Sequence, residues 1–209
     1  MKHVTAILIC VGFVSCALGN IEITEWMYNG AATDAFGEYV EFTNTGTTAV
    51  DMTGWSYDDS SRIAGTVDLS AFGTVEPGES VILTDATAAD FATNWGLTGV
   101  KIIGGLTANL GRNDEINLYD ATQTLVDRLT YGDEDFPGTV RTQLVSCNIP
   151  DTDYGYTEAQ TSWVLATVGD AYGSTMSSVG EIGSPGVVPE PATWFVLALG
   201  VLGLRGRRA

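Results

Sequence analysis

Hydrophobic and polar residues alternate with a period of two in short runs along the middle of the chain. Residues 21–24 and 38–43 both follow this pattern, and Val40 and Phe42 fall on one face of the second run. Such alternation is typical of half-buried β-strands. The same reasoning predicts further strands at residues 50–52, 81–83, 115–119 and 124–129.

Turn-forming residues separate these runs. Pro77 and Gly78 suit the two central positions of a type II turn, and residues 120–122 also read as a turn. One short helix is predicted at residues 88–94, with Thr87 as its N-cap. Because no βαβ crossovers are evident, the spacing predicts an antiparallel sandwich or barrel.

Three side chains in this region carry more specific expectations. Glu38 shares parity with Val40, so we expect it to point toward the core edge and to need a backbone N–H donor from a turn. Trp55 beside Gly54 is predicted to be a large core anchor packed over bare backbone. Residues 132–182 fit the strand pattern less clearly, and we expect Trp163 to hold that irregular stretch.

The amino-terminal end does not follow the strand pattern. A short basic start precedes an apolar run at residues 4–18, and small residues follow it. This order is typical of a cleavable secretory signal peptide, with the cut after Gly19 and a mature chain that begins at Asn20. A buried helix or a retained anchor is the structural alternative. Cys16 suggests a lipoprotein, but Phe13 stands where a lipidated cysteine usually has a leucine.

The carboxyl-terminal end combines three features in a fixed order. Pro189, Glu190 and Pro191 come first, an apolar run at residues 192–204 follows, and a basic tail at residues 205–209 contains Arg205, Arg207 and Arg208. The apolar run is shorter than the ~20 residues of a usual transmembrane helix. Its arginines resist translocation. The pattern therefore predicts a hydrophobic helix that anchors the chain transiently in the membrane.

This layout resembles the PEP-CTERM sorting signal. The resemblance implies recognition by an exosortase-type membrane protease, with cleavage near the Pro-Glu-Pro motif. It also implies export through the secretion translocon across the inner membrane of a Gram-negative-type envelope, a final place at the cell surface or outside it, and a link to secreted polysaccharide. An ordinary short C-terminal anchor is the alternative.

A second resemblance covers the central region. Four blocks, ITEWMYNG at 23–30, GEYVEFTN at 37–44, VDMTGWSY at 50–57 and PGESV at 77–81, are similar to a lamin-tail domain, and GSPG at 183–186 is similar to the end of bacterial members. The resemblance implies an all-β, immunoglobulin-like antiparallel β-sandwich, flanked here by an N-terminal signal helix and a C-terminal hydrophobic helix. We expect three parts: residues 1–19, 20–186 and 187–209.

The net charge of the chain limits the classes of partner that it can bind, and the cysteine content predicts the state of its thiol. The net charge is −17, and without the signal and the basic tail five basic residues remain against 26 acidic ones, a net charge of −21. Such a surface repels phosphate backbones, which excludes nucleic-acid binding. Abundant aromatic residues favour a packed core over disorder. Cys147 is the single cysteine outside the signal, so we expect a buried thiol or, alternatively, an intermolecular bridge.

Groups for catalysis are scarce. The one histidine, His3, lies in the signal, which excludes Ser-His-Asp and Cys-His mechanisms from the mature segment. No phosphate-binding loop or dinucleotide fingerprint is present, and Lys101, the lone lysine there, reads as a solvated position. We therefore predict that the protein is not an enzyme.

Acidic clusters are the remaining candidates for a site. The pairs Asp133 with Asp135 and Asp151 with Asp153, and also residues 58–61, offer oxygen ligands of the kind that calcium binds. The 151–155 cluster departs from an EF-hand loop, because its glycine comes one place early and no closing Glu follows. The alternative is a set of solvated, turn-forming acids. No cofactor is predicted, and calcium is kept as an alternative.

These observations predict a non-catalytic module of the cell surface or extracellular matrix that contacts polysaccharide or envelope proteins. Two alternatives stay open. One is a calcium-stabilised adhesive domain, and the other is a glycan hydrolase that works through paired carboxylates.

Overall fold

The structure is a computed structural model that describes residues 20–31, 37–132, 141–150, 157–159 and 162–187. The predicted signal peptide and sorting tail lie outside these residues, and so do both predicted terminal helices. The described strands are β1 Ile21–Met27, β2 Tyr39–Asn44, β3 Val50–Asp51, β4 Ser56–Asp58, β5 Val67–Asp68, β6 Thr74–Val75, β7 Ser80–Thr84, β8 Lys101–Ile103, β9 Asp114–Tyr119, β10 Leu125–Tyr131, β11 Cys147–Asn148, β12 Thr157–Ala159, β13 Val164–Leu165, β14 Thr175–Met176 and β15 Ile182–Gly183. Helix α1 spans Ala88–Trp95, and a 3-10 helix spans Ser70–Phe72.

Two sheets face each other as a sandwich. The six-stranded sheet has the order β13-β11-β1-β2-β7-β8, and the five-stranded sheet has the order β12-β10-β9-β4-β5. Most neighbouring strands are antiparallel, which confirms the predicted all-β, immunoglobulin-like class. Two edge strands, β8 and β12, pair in parallel with their neighbours. The β7-α1-β8 segment is therefore a βαβ crossover, and the expectation that the chain contains none was wrong.

The hydrophobic core fills the space between the two sheets. Val40, Phe42 and Val81 face it from the six-stranded sheet, and Ile116 and Leu118 face it from the other. Aromatic rings close one end of this core. The Trp26 ring lies 4.1 Å from the Tyr131 ring, centroid to centroid, and Trp163 meets Trp26 edge-on at 6.3 Å. The prediction that Trp163 holds the C-terminal stretch is confirmed.

Strand β1 is buried on both faces, although its alternating sequence predicted one solvated face. A β-bulge between Ile23 and Glu25 breaks the period of two. As a result Ile23 and Trp26 both face the core. Glu25 then turns to the outer face of the sheet, where it is 1% exposed because the C-terminal part of the chain covers it.

Helix α1 covers another part of this outer face. Phe91 packs edge-on against Tyr39 with ring centroids 5.2 Å apart, and Ile82 belongs to the same buried cluster. The predicted cap is confirmed, since Thr87 Oγ1 accepts a hydrogen bond from the Asp90 backbone N–H at 3.1 Å. The helix ends at Trp95 and is capped by Gly96, whose φ of 67° suits glycine.

Two further local predictions can be compared with the structure. Gly78 has φ 78°, and the Glu79 N–H donates to the Glu76 carbonyl at 2.9 Å, as the predicted turn requires. Trp55 is only partly buried at the core margin, and Gly54 is exposed with φ 80°. The prediction that Trp55 is a large core anchor is thus wrong: Gly54 lies in a left-handed turn, and the tryptophans buried in the core are Trp26 and Trp163.

Candidate functional site

Residues 181–187, here called the closing segment, lie against the outer face of the six-stranded sheet. They lead directly to the predicted sorting motif, because only residue 188 separates Val187 from Pro189. Three buried glutamates hold this segment: Glu25 on β1, Glu41 on β2 and Glu181 in the segment itself. We call these three the carboxylate seam.

Glu25 stands at the centre of the carboxylate seam. Its Oε1 accepts hydrogen bonds from the Tyr39 hydroxyl at 2.8 Å, from the Ser184 backbone N–H at 2.8 Å and from the Ser146 hydroxyl. Its Oε2 accepts from the Ser184 hydroxyl at 3.1 Å. One carboxyl group therefore joins β1 and β2 to residues more than a hundred positions away in the chain.

Glu41 makes the second attachment, and it is 3% exposed. Its Oε2 accepts the Gly186 backbone N–H at 2.7 Å, and its Oε1 accepts the Thr24 hydroxyl at 2.7 Å. Thr24 lies in the β1 bulge and also contacts the Thr43 hydroxyl at 2.7 Å. The bulge thus places a donor for Glu41 beside the site where Glu25 turns outward.

Glu181 makes the third attachment in the opposite direction, from the closing segment to the domain. Its Oε1 accepts the Ala31 backbone N–H at 2.7 Å, and its Oε2 accepts the Asn94 side-chain amide at 2.7 Å. Asn94 belongs to α1, so this carboxyl group links the helix, the loop after β1 and the closing segment. Glu181 is 0% exposed.

The sequence Gly183-Ser184-Pro185-Gly186 suits this position for physical reasons. A Cβ on Gly183 would lie 2.6 Å from the Tyr39 hydroxyl oxygen and 3.0 Å from Glu25 Oε1, so a side chain has no space there. Pro185 lacks an N–H and stands between the two residues whose N–H groups reach Glu25 and Glu41. Gly186 has φ 77°, a conformation that glycine adopts without strain.

Burial dominates the electrostatics of the carboxylate seam. Loss of solvent raises the pKa of Glu25, although its hydrogen-bond donors oppose that rise. Loss of solvent, with the nearby charge of Glu25, raises the pKa of Glu41 to about 8. Burial also raises the pKa of Glu181. A pKa of about 8 favours the protonated form of Glu41 at neutral pH, which reduces the cost of burying this carboxyl group beside Glu25.

A further acidic group lies at another edge of the domain. Glu38 Oε2 accepts the Leu110 backbone N–H at 2.6 Å, which confirms the predicted turn donor. Burial, together with the charges of Asp85 and Asp114, raises the pKa of Glu38 to about 8. Asp114 accepts backbone N–H groups from Gly111 at 2.6 Å and from Glu115 at 2.9 Å. These acids fix loops in place by accepting main-chain hydrogen bonds.

Comparison with known families finds two matches, in different parts of the chain. A family model described as Lamin Tail Domain matches residues 15–133, which is more than half of the chain. The chain belongs to the lamin tail domain family. The model of the PEP-CTERM protein-sorting motif matches residues 187–209. A comparison with curated proteins finds no match to this chain.

The two matches confirm both predicted resemblances and leave a gap between them. Residues 141–150 and 162–187 lie outside both matches, apart from Val187, yet they supply the closing segment that covers part of the outer face. The sorting motif supports export of the chain and its processing by an exosortase-type membrane protein, with a transient C-terminal anchor. Within the described residues, no helix has the length and apolar character needed to cross a membrane.

Most predicted site residues fall outside the described part of this lamin tail domain. These are the calcium candidates Asp133, Asp135, Asp151 and Asp153, the sorting residues Pro189, Glu190, Pro191, Arg205, Arg207 and Arg208, and Gly19 at the predicted cut. They stay predictions. In the ranges that the structure does describe, no group of three or more His, Cys, Asp or Glu side chains is placed to hold a metal ion.

The structure does describe two other candidates that the sequence suggested, the acidic residues 58–59 and Cys147. Asp58 Oδ1 accepts the Ser61 hydroxyl at 2.5 Å, and Asp59 Oδ1 accepts the Ser60 N–H at 2.6 Å, which is the turn-forming alternative. Cys147 is a free thiol, 1% exposed, within the core. Burial raises the pKa of this thiol, so the buried, unreactive alternative describes it in the folded domain.

The sequence did not reveal the carboxylate seam. Period-two reasoning assigns Glu41 to a solvated face, and nothing local indicates that a segment some 140 residues later covers it. One signal was present: the GSPG block at 183–186 combines a residue without an N–H with two that lack side chains. That composition suits a segment lying close against another backbone.

Proposed function

We propose that this protein is a non-catalytic module that is sorted by an exosortase-type protease and displayed at the cell surface or in the extracellular matrix. The observation that carries the proposal is the attachment of the closing segment. Its backbone N–H groups at Ser184 and Gly186 bond to buried glutamates of the central strands, and the sorting motif begins immediately afterwards. The last described residues before the sorting motif are therefore bonded to the central strands of the domain.

The chemistry of the described acids supports a structural role. The carboxyl oxygens of Glu25, Glu41 and Glu181 accept hydrogen bonds from neutral groups of the chain itself. The mature segment has no histidine to act as a base. The strong negative charge favours solubility and contact with neutral or cation-bridged polymers, and extracellular polysaccharide is the class of partner that we propose.

Cell fractionation tests this proposal. The full chain and a chain that ends at Val188 should be expressed in the native host and followed through cytoplasm, inner membrane, surface and medium. We expect the full chain at the surface or in the matrix and the shortened chain in a different fraction. A substitution of Pro189, Glu190 and Pro191 by Ala should act like the truncation while keeping the apolar run and the basic tail.

The control is a triple substitution at exposed acids of the domain, Asp51→Asn, Asp68→Asn and Glu76→Gln, which leaves the tail intact and should not alter sorting. Intact mass of the surface-extracted protein reports both cuts at once. Identical fractionation of the full and shortened chains would refute the sorting step. Turnover of a glycan panel that is lost with single Asp or Glu substitutions would refute the non-catalytic step.

A further inference from the structure

The part of the chain that follows the lamin tail match differs from the rest in its exposed side chains. Among the described residues, eight large apolar side chains are exposed, and seven of them lie in the ranges 141–150 and 162–187. The described residues up to 132 contribute only Ile63. Single exposed apolar side chains are normal on a protein surface, so their concentration in one part of the chain indicates a contact surface.

Hydrogen bonds join four segments of this part into one layer. Met176 on β14 pairs with Ile182 on β15. The Ser146 N–H donates to the Ile182 carbonyl at 2.9 Å, and the Ser146 carbonyl accepts the Ala166 N–H at 2.9 Å. Because hydrogen-bonded strands lie about 4.8 Å apart, the layer from β14 to the end of β13 is roughly 15 Å wide.

The last described residue lies against the same layer. Val187 Cγ1 is 3.2 Å from the position that a Cβ on Gly173 would take. Gly173 belongs to the turn that leads into β14, where the Gly169 N–H donates to the Ser174 carbonyl at 2.8 Å, and Val168 directly precedes that turn. We call five side chains of this layer, each between 39% and 62% exposed, the apolar face: Leu144, Leu165, Val168, Met176 and Val187.

The layer that carries the apolar face is poor in exposed charge. Asp170 and Glu181 are the two acidic residues of the ranges 141–150 and 162–187, and Arg141 is the one basic residue. Glu181 is buried in the carboxylate seam, and Asp170 accepts the Tyr172 N–H at 2.9 Å within its own turn. The Arg141 guanidinium lies over the Tyr28 ring, 4.7 Å from its centroid. The net charge of −17 is therefore carried by other parts of the chain.

The predicted membrane anchor begins close to this face. Five residue steps separate Val187 from Ala192, the first residue of the apolar run at 192–204. An extended chain covers at most about 3.6 Å per residue, so Val187 lies within roughly 18 Å of the point where an inserted run enters the membrane. Val187 is itself held by the domain, because the Gly186 N–H beside it donates to Glu41. Anchoring therefore brings the apolar face near the lipid surface.

We propose that the apolar face contacts the lipid bilayer while the C-terminal run is inserted in it, an inference that rests on the proposed transient anchor. Apolar side chains enter the boundary between lipid head groups and acyl chains, and such binding strengthens with the apolar area that is buried. Anionic lipids repel acidic surfaces, so the side of the domain with little charge approaches the bilayer at the smallest electrostatic cost.

The contact depends on the anchor. Five partly exposed side chains bury little area, so a domain without its tail binds the bilayer weakly. Insertion of the tail makes the contact intramolecular and raises its effective concentration. A cut near the Pro-Glu-Pro motif removes the anchor, and the domain then leaves the bilayer. The apolar face thus orients the domain before processing and does not retain it afterwards.

Quenching of a fluorophore by labelled lipids tests the contact. The full chain is expressed with its signal, purified from membranes in detergent and reconstituted into vesicles of phosphatidylethanolamine and phosphatidylglycerol that carry nitroxide-labelled lipid and no other protein. The fluorophore is attached at Met176→Cys in the apolar face or, as a control, at Asp51→Cys in an exposed turn, while the native Cys147 is buried. We expect both chains to float with the vesicles and quenching to be strong at position 176 and weak at position 51.

A pair of substitutions measures what the face contributes. Leu144→Asn with Val168→Asn removes apolar area without adding charge, and asparagine is among the side chains that tolerate the φ of 64° at position 144. We expect the docking equilibrium, measured from the quenching at position 176, to fall about tenfold, which is ~1.4 kcal/mol. Ile63→Asn, at the exposed apolar position outside the face, is the matched control and should leave the quenching unchanged.

The outcomes separate this inference from the proposed function. Equal quenching at positions 176 and 51 in vesicles with which the chain floats would overturn the inference and leave the anchor intact. A chain that does not float would refute the anchor and the inference together. An apolar face that binds only a protein partner, or that the chain's own apolar run covers, would leave position 176 unquenched in these vesicles and would also overturn the inference.

Discussion

In both the carboxylate seam and the exposed turns, carboxyl groups accept hydrogen bonds from hydroxyl and backbone N–H groups, yet their pKa values shift in opposite directions. In the turns, Asp51 accepts the Thr53 hydroxyl at 2.7 Å and the Thr53 N–H at 2.9 Å, and these bonds lower the pKa of Asp51. In the seam, Glu25 accepts similar hydroxyl and N–H donors, yet burial raises its pKa. Solvent, rather than the set of donors, decides the direction of the shift.

The difference shows which acids the fold depends on. An exposed turn carboxylate that is lost can be replaced by water, so the turn changes little. A seam carboxylate that is lost leaves buried donors from distant parts of the chain without their acceptor. The high acidic content of the chain therefore divides into solvated acids that keep it soluble and buried acids that hold its parts together.

The largest expected effect comes from removing the centre of the seam. Glu25→Ala leaves the Tyr39 and Ser146 hydroxyls and the Ser184 N–H without their acceptor, so we expect a loss of about 3 kcal/mol or more in the free energy of unfolding. Urea unfolding followed by tryptophan fluorescence measures it. Glu76→Ala, at an exposed position, is the matched control. A loss no greater than in the control would remove the distinction between seam and turns.

The next effect is a pH dependence of stability. The pKa of Glu41 is raised to about 8 from an unfolded value near 4.3, so the folded chain binds more protons between these values. Stability should therefore fall as pH rises through this window, by on the order of 1 kcal/mol per pH unit for one group. Urea midpoints from pH 5 to 9 test this, and Glu41→Gln should flatten the slope. A rising slope would contradict it.

A smaller loss is expected from Gly183→Ala. The added methyl group would lie 2.6 Å from the Tyr39 hydroxyl oxygen, so the closing segment must shift away from Glu25. Overpacking of this kind costs about 1–3 kcal/mol. Hydrogen exchange of the Ser184 and Gly186 amides should accelerate with the loss. Unchanged exchange would mean that the closing segment has room that the structure does not show.

The smallest effect is expected at an exposed turn. Asp51→Ala removes an acceptor from Thr53 where water can take its place, so the urea midpoint at pH 7 should change least among these variants. The sign of its pH dependence is opposite to that of Glu41: because the folded pKa is lowered, any stabilisation is present above about pH 3.9 and is lost as pH falls through the folded value. If Asp51→Ala lowered the free energy of unfolding as much as Glu25→Ala, solvent exposure would not distinguish the turn carboxylates from those of the seam.

Local patterns predicted much of the sandwich. The strands around residues 21–24, 38–43, 81–83, 115–119 and 124–129 were found from alternation, and the helix with its Thr87 cap was found from composition. The Glu38 donor followed from parity alone. The two-residue strands β11 and β13 were missed because so short a run carries no period.

The residues alone determined the sorting motif at the carboxyl-terminal end, the family and the β-rich class, because each depends on residue type and local order. Only the tertiary structure decided that the outer face of β1 and β2 is covered and that three glutamates are buried there. It also decided that backbone N–H groups of the closing segment donate hydrogen bonds to two of these glutamates. Those facts depend on contacts between residues far apart in the chain, and alternation within a strand carries no information about what lies on its outer side.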